Sequence, residues 1–202
     1  MTKIPPFHLV SKFYKKAPLG TSLDIGTGKG KNAIFLAENG FKVDAIDIDK
    51  ENIKTIKKTA ENNKLSIKTL VLNMIVFKYP ILKYSLVLAI QCLNFIKKSE
   101  FEILIEKIKK SLIKNGILII SVFNTDDPSY KKLIKKHKPK EENTFYSKQI
   151  PHWWHFFEKN ELKNYFDSKY KILYYKNKIV KDKKPSPHSH GIIEMVIKKL
   201  HE

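Results

Sequence analysis

The sequence predicts an α/β protein with a doubly wound, mostly parallel sheet and helices on both faces, on three observations. An apolar strand, Leu23-Asp24-Ile25, runs into glycines at alternate positions, Gly26, Gly28 and Gly30, and then into a helical segment. Two later stretches, residues 86–90 and 117–122, are continuous apolar runs but for Ser121, the pattern of strands covered on both faces. Amphipathic stretches of helical length lie between the strands, so the two kinds of element alternate.

Taken in order, residues 6–17 read as a helix that leads through Pro18-Leu19-Gly20 into the first strand. Residues 31–39 form the next helix, with Gly40 as a left-handed cap. A second strand, residues 42–46, ends at Asp47, 19 residues after Gly28. Residues 50–62 are helical, 66–72 a third strand and 85–90 a fourth. Residues 101–113 repeat Ile103, Leu104, Ile108 and Leu112 at helical spacing, with Asn115-Gly116 ending the helix and 116–123 a fifth strand. Residues 158–166 read as a helix, and 171–175 and 192–198 bring the strands to seven. One domain, residues 1–202, is expected, with an insertion or lid at about 126–157. That lysine-rich segment exceeds a normal connection and is expected to carry one short helix over the mouth of the site.

The glycine loop narrows the chemistry. Alternating glycines let the backbone approach a ligand where a Cβ would collide, and Asp47 stands where nucleotide-binding α/β units hold ribose hydroxyls. A dinucleotide fingerprint begun at Gly26 meets Lys31 at its third glycine; begun at Gly28 it meets Ala33, a weakened match that stays open. A phosphate-binding loop needs a glycine where Leu23 or Ile25 stands, and is excluded.

Asp-x-Gly-x-Gly-x-Gly followed by a strand ending in Asp resembles the class I S-adenosylmethionine-dependent methyltransferases. The run Leu-Asp-Ile-Gly-Thr-Gly-Lys-Gly-Lys-Asn-Ala, with Leu-Ala-Glu-Asn-Gly-Phe-Lys-Val-Asp-Ala-Ile-Asp-Ile-Asp after it, is similar to their tellurite-resistance small-molecule group. The resemblance covers residues 5–125 and implies a Rossmann-like seven-stranded sheet whose last strand is antiparallel. It implies S-adenosylmethionine as cofactor and a small-molecule acceptor, thiols and chalcogen oxyanions among the candidates. Gly26, Thr27, Gly28, Gly30 and Asn32 would belong to the cofactor loop, with Asp24 orienting it or facing the methionine ammonium. Asp47 would accept the ribose hydroxyls, Ile48 and Met74 would sandwich the adenine, and Asn73 would meet its edge. Ile90 and Gln91 would lie beside the sulfonium.

On the acceptor side, two histidine clusters stand out, Pro151-His152-Trp153-Trp154-His155 and Pro187-His188-Ser189-His190-Gly191. His190 and His188 are candidates for a base or an anion-holding group, with Gln91 a further catalytic candidate; a structural role is the competing reading. Trp153, Trp154 and His155 are candidates for the acceptor pocket, the competing reading being that they pack the insertion onto the core. No third ligand is spaced to complete a metal site, so no metal is expected.

Composition restricts the alternatives. The net charge of +19 reads at first as nucleic-acid binding. Yet all 39 basic residues are lysine, and arginine is the preferred fork for phosphates and guanine edges. The lysines recur along helix faces, as at Lys54-Lys57-Lys58 and Lys131-Lys132-Lys135-Lys136, in the manner of solvated surfaces. Weak, salt-sensitive RNA binding is expected, without a specific nucleic-acid substrate. An RNA or protein methyltransferase is the alternative reading, and a non-catalytic S-adenosylmethionine-binding module the second alternative. One cysteine, the lack of a membrane-spanning run and a start without a signal-peptide core set a cytoplasmic expectation.

Overall fold

The structure is a computed structural model that describes residues 4–147, 151–182 and 188–201. The sheet expected from the sequence is present. Its strands are β1 (Thr21–Ile25), β2 (Lys42–Asp47), β3 (Ile67–Val71), β4 (Tyr84–Ile90), β5 (Leu112–Phe123), β8 (Tyr170–Asp182) and β9 (His188–Lys199). A separate hairpin supplies β6 (Thr144–Ser147) and β7 (His152–His155). The sheet order is β3-β2-β1-β4-β5-β9-β8, with β9 antiparallel to both of its neighbours.

The order reverses between β1 and β4, and a crevice opens outside the carboxyl ends of the strands at such a reversal. Alternate residues of the buried strands serve opposite faces. Leu23, Val87, Leu118 and Ile120 join one core, packed by Phe101, Leu104 and Ile108 of helix α4 (Lys98–Ser111). Leu86, Leu88, Ile117 and Ile119 join the other, with Leu9 and Val10 of α1 (His8–Phe13) and Ala33 and Leu36 of α2 (Lys31–Glu38). Helix α3 (Lys50–Asn62) matches its expected bounds, because Asp49 accepts hydrogen bonds from the Glu51 and Asn52 amides and caps its start. Gly40, at φ +88°, ends α2 as expected: the Phe41 amide reaches back to the Leu36 carbonyl.

Four expectations need correction. Helix α4 ends at Ser111, and Asn115-Gly116 lies in a bulged stretch of β5, where the register jumps from Tyr84–Leu112 to Leu86–Ile117. The segment 158–166 forms only a five-residue 3-10 helix, Glu161–Tyr165. Its entry is fixed by Phe157, whose amide bonds to the Phe123 carbonyl, and by the Glu158 amide, which donates to the Glu161 carboxylate at 2.9 Å instead of entering a longer helix. Strands β8 and β9 run far beyond the apolar residues that announced them, pairing out to Val180–His190 and Asp182–His188. The fourth concerns the insertion. Its helix α5 (Pro128–Lys136) does not cover the mouth; Tyr130 and Leu133 pack it onto a small core of Phe123, Phe145, Phe156 and Ile192. It is β7 that reaches the crevice. Residues 148–150 of the insertion lie outside the described residues, as does Pro187 of the second histidine cluster.

Candidate active site

The loop after β1 takes its shape from three left-handed glycines, at φ +62° for Gly26, +54° for Gly28 and +75° for Gly30. They are glycine for different reasons. A Cβ on Gly26 would stand 2.6 Å from the Cys92 Cβ, and one on Gly30 2.5 Å from the Ile56 Cγ1, so both are closed by the protein's own packing. A Cβ on Gly28 would meet nothing within 4 Å. Only Gly28 turns toward open space.

Asp47 ties this loop to the end of β2. One carboxylate oxygen accepts from the Gly28 amide at 2.7 Å, the other from the Asp49 amide at 2.9 Å. Asp24 sits behind the loop, 1% exposed, and accepts from the Thr27 hydroxyl at 2.7 Å. That bond holds the loop from behind. Burial, reinforced by repulsion from Asp47, raises the Asp24 carboxyl to about 7, against the bond from Thr27, which lowers it. The folded state therefore binds this proton more tightly than the unfolded chain. Asp24 then destabilises the fold progressively as pH rises from about 4 to about 7. Asp24→Asn, which can still accept from Thr27, is expected to exceed the wild type in stability by about 2 to 4 kcal/mol at pH 8. The gap should close toward pH 4, and urea melts across that range check it.

In front of the loop lies a cavity of about 480 Å³, within the range of small-ligand sites. Gly26, Ile46, Asp47 and Ile48 form one side; Leu72, Asn73, Met74 and Ile75, after β3, form the next. Gln91, Cys92, Phe95 and Ile96, after β4, close the far side with Glu100 of α4, and Pro151, His152 and Trp153 come from the hairpin. Ile48 is 73% exposed, a large apolar side chain held in water at the cavity edge. Gln91 sits at φ +53°, a strained position for a residue with a side chain. A groove of about 540 Å³ along α3 and β3 is larger but runs down the outer edge of the sheet, among Lys57, Lys64 and aliphatic residues.

The cavity thus brings together Gly26, Asp47, Ile48, Asn73, Met74, Gln91 and Trp153 of the residues chosen from sequence. Others are placed elsewhere. Thr27 is bonded to Asp24, and Asn32 is buried, accepting from the Phe7 amide at 2.8 Å to hold the N-terminal segment. Ile90 packs into the core on the α1 and α2 side. Trp154 turns inward, its ring stacked on Phe123 and Phe156, while Trp153 lies beside Tyr146 with Lys97 over its ring at 4.9 Å. His155 is fully buried, its Nδ1 2.9 Å from the Thr144 hydroxyl and its Nε2 3.6 Å from Glu161. His188 and His190 do stand on one extended strand, their rings 4.8 Å apart, but they do not line the cavity. His190 Nδ1 is 3.0 Å from Asp127, and its ring stacks on Phe123. No group of three or more possible metal ligands occurs among the described residues.

Phe95, Ile96, Glu100 and His152 are cavity residues that sequence reading missed. Glu100 carried the one usable signal. It is the third residue of α4, and its carboxylate accepts from the Lys97 amide, which places it at the helix start beside the crevice. Cys92 behaves as the small apolar residue expected of it, with its thiol directed at the Ile25 carbonyl and pushed up by burial.

These residues fit S-adenosylmethionine. The space where a Gly28 side chain would stand is open, a carboxylate stands at the end of β2, and Ile48 and Met74 give the same cavity apolar surface. The chain belongs to the methyltransferase domain family, which it matches over residues 5–170. It is 33% identical over 108 residues to the ubiquinone biosynthesis O-methyltransferase of Rickettsia typhi, a match that takes in 54% of this chain and 43% of that protein. The match therefore spans less than half of that relative. Among solved structures it superposes on TehB of Haemophilus influenzae with a TM-score of 0.75 at 18% identity, covering 98% of this chain and 63% of that one. An S-adenosylmethionine-dependent methyltransferase of Methanosarcina mazei gives a TM-score of 0.75 at 20% identity, covering 98% and 100%. A Burkholderia thailandensis N1-methyltransferase, solved with 1,6-didemethyltoxoflavin and S-adenosylhomocysteine bound, gives 0.69 at 15% identity, covering 96% and 76%. At these identities the superpositions establish the fold. The cofactor of the family is S-adenosylmethionine, and no helix among the described residues is long and apolar enough to cross a membrane.

Proposed function

We propose that this protein transfers a methyl group from S-adenosylmethionine to a small, uncharged acceptor. The observation that carries the acceptor class is the lining of the cavity. In a chain with 39 lysines and a net charge of +19, none of the described residues that line the cavity is lysine, and two are carboxylates, Asp47 and Glu100. Burial holds His152 below the ordinary histidine range, so it is neutral at pH 7. Such a site disfavours a chalcogen oxyanion and a nucleic-acid backbone, both of which would be drawn to the lysines outside. In this reading the basic surface is solvation, and its contacts with RNA are weak and salt-sensitive. The same reading keeps the protein in the cytoplasm.

In this proposal Asp47 accepts the ribose hydroxyls, Ile48 and Met74 enclose the adenine, and Asn73 meets its edge. Asn73 is fixed for this by accepting from the Ile75 amide at 2.9 Å. Gly26 and Gly28 support the methionine end, and Gln91 lies beside the reacting centre. The cofactor supplies an electrophilic methyl group on a sulfonium. The protein's task is alignment and exclusion of water, effects worth about 7–11 kcal/mol when geometry is well held.

Calorimetric titration with S-adenosylmethionine, S-adenosylhomocysteine and NAD comes first, followed by transfer of labelled methyl to phenols, thiols, tellurite and tRNA. Micromolar binding of the first two and labelling of a neutral small molecule is the expected result. Labelling of tRNA or of tellurite alone would sink the acceptor class. Cofactor binding with no labelling would favour a binding module.

A further inference from the structure

We infer that His152 is the proton-accepting residue of the acceptor half of this site, an inference that rests on the methyltransferase reading above. Its Nε2 is buried and has no hydrogen-bond partner among the described residues. Buried polar nitrogens are almost always paired, and an unpaired one beside a cavity is matched to a partner that arrives with the ligand. The imidazole is held by packing: the Phe95 ring stands edge-on to it at 5.2 Å and the Trp154 ring is tilted on it at 5.0 Å. Phe95 sits on a single 3-10 turn and is 38% exposed, so it forms the outer wall at this end. A flat ring entering there replaces the Phe95 contact and meets the unpaired nitrogen.

The other histidines near this end are differently engaged. His155 Nε2 also lacks a hydrogen-bond partner among the described residues, but its Nδ1 is at Thr144, its Nε2 lies 3.6 Å from Glu161 and the residue does not line the cavity. His190 has Nδ1 at Asp127. The titratable groups that share the cavity with His152 are Asp47 from β2, Glu100 from α4 and the Cys92 thiol, with Lys97 at the rim over Trp153. Burial lowers His152 within that set, which keeps a lone pair available near neutral pH.

This residue suits an acceptor whose reacting atom arrives protonated, a hydroxyl on a planar apolar ring. As the acceptor oxygen bonds to the methyl carbon, the carbon–sulfur electron pair returns to sulfur and the hydroxyl proton moves to Nε2. The positive charge that began on sulfur ends on the imidazolium, which passes its proton to water. An acceptor already ionised, such as a thiolate, makes no use of His152.

The test has two readouts. Nitrogen-15 histidine NMR of the protein loaded with S-adenosylhomocysteine identifies His152 as the signal missing from His152→Gln. Nε2 is expected to be unprotonated at pH 7, and the ring to titrate below the ordinary histidine value; a proton found on Nε2 at pH 7 overturns the assignment. In the second readout, His152→Gln is expected to slow methyl transfer to phenol about 100-fold or more, while transfer to ionised thiophenol falls by less than about threefold. Equal losses for the two acceptors mean that His152 only shapes the site, and overturn the assignment. Failure of the wild type to methylate either acceptor while it binds S-adenosylhomocysteine overturns the acceptor class proposed above, and the NMR readout then decides His152 independently.

Discussion

Replacing Asp47 by alanine is expected to weaken S-adenosylmethionine binding about 100-fold while leaving the protein folded. The proposed ribose contacts are hydrogen bonds to a charged group, each worth about 1.5–3 kcal/mol, and every 1.4 kcal/mol is a factor of ten. The structure adds a second reason. The same carboxylate receives the Gly28 amide at 2.7 Å and the Asp49 amide at 2.9 Å, so its removal also loosens the loop that must be in place when the cofactor arrives. Both amides are at least partly accessible to water, which takes over when the carboxylate is gone, and the loss of stability stays near 1 kcal/mol. Asp47→Asn should fall between wild type and alanine, since one amide oxygen can still serve one backbone donor. Calorimetry gives the affinities and a thermal melt the stability. An alanine variant that binds as tightly as wild type would remove Asp47 from the cofactor site.

The parts of the molecule that were legible in the sequence share a physical cause. Seven strands and the reversal at β1 and β4 follow from apolar runs that must be covered on two faces, and from a glycine loop whose left-handed backbone and close packing disfavour side chains. Asp47 is legible because chain geometry places the end of β2 beside that loop. The acceptor end was not legible, because the hairpin that forms it folds back through tertiary contacts with no local signature. His152, Trp153, Trp154 and His155 are adjacent in sequence. Yet one lines the cavity unpaired, one lies under a lysine, one is stacked into an aromatic core and one is sealed against Thr144 and Glu161. A cluster of chemically interesting residues was visible; its division into cavity and packing members depends on tertiary neighbours, since His152 and Trp154 both meet Phe95 and Trp154 goes on to stack on Phe123. The long pairing of β8 with β9 was hidden for a related reason. Residues such as Lys176, Asn177, Lys178 and Lys181 show no single buried face, so the ladder is set by the partner strand.

The charge shows the same division between surface and site. Lysine faces on α3, α4 and α5 carry 12 of the 39 lysines behind the net +19 that suggested nucleic acid, but charge counted over a whole chain does not say where the charge goes. None of the described residues that line the cavity is lysine. A cationic shell opposes self-association, and in the proposed reading it leaves acceptor selection to aromatic surface and a few polar atoms of the pocket.

The three glycines provide the sharpest separation of folding from function, because identical substitutions are expected to fail in different ways. Gly26→Ala places a methyl group 2.6 Å from the Cys92 Cβ at φ +62°, and Gly30→Ala places one 2.5 Å from the Ile56 Cγ1 at φ +75°. Each combines left-handed strain of about 1–2 kcal/mol with overpacking of about 1–3 kcal/mol, so each should cost about 3 kcal/mol in a denaturant melt. Gly28→Ala carries the strain alone, with no atom within 4 Å of the new methyl group, and should cost about 1 kcal/mol. Its effect is to fall on the ligand: the methyl group occupies the space into which the cofactor is proposed to fit, and S-adenosylhomocysteine affinity should drop at least about tenfold, an energy of about 1.4 kcal/mol. A double-mutant cycle of Gly30→Ala with Ile56→Ala checks the packing part. Trimming Ile56 removes the atom that collides, so the pair should cost less than the sum of its members by about 1 kcal/mol or more. If Gly28→Ala binds S-adenosylhomocysteine normally while Gly26→Ala and Gly30→Ala unfold the protein, then the glycines serve the fold alone and the cofactor must enter by another face.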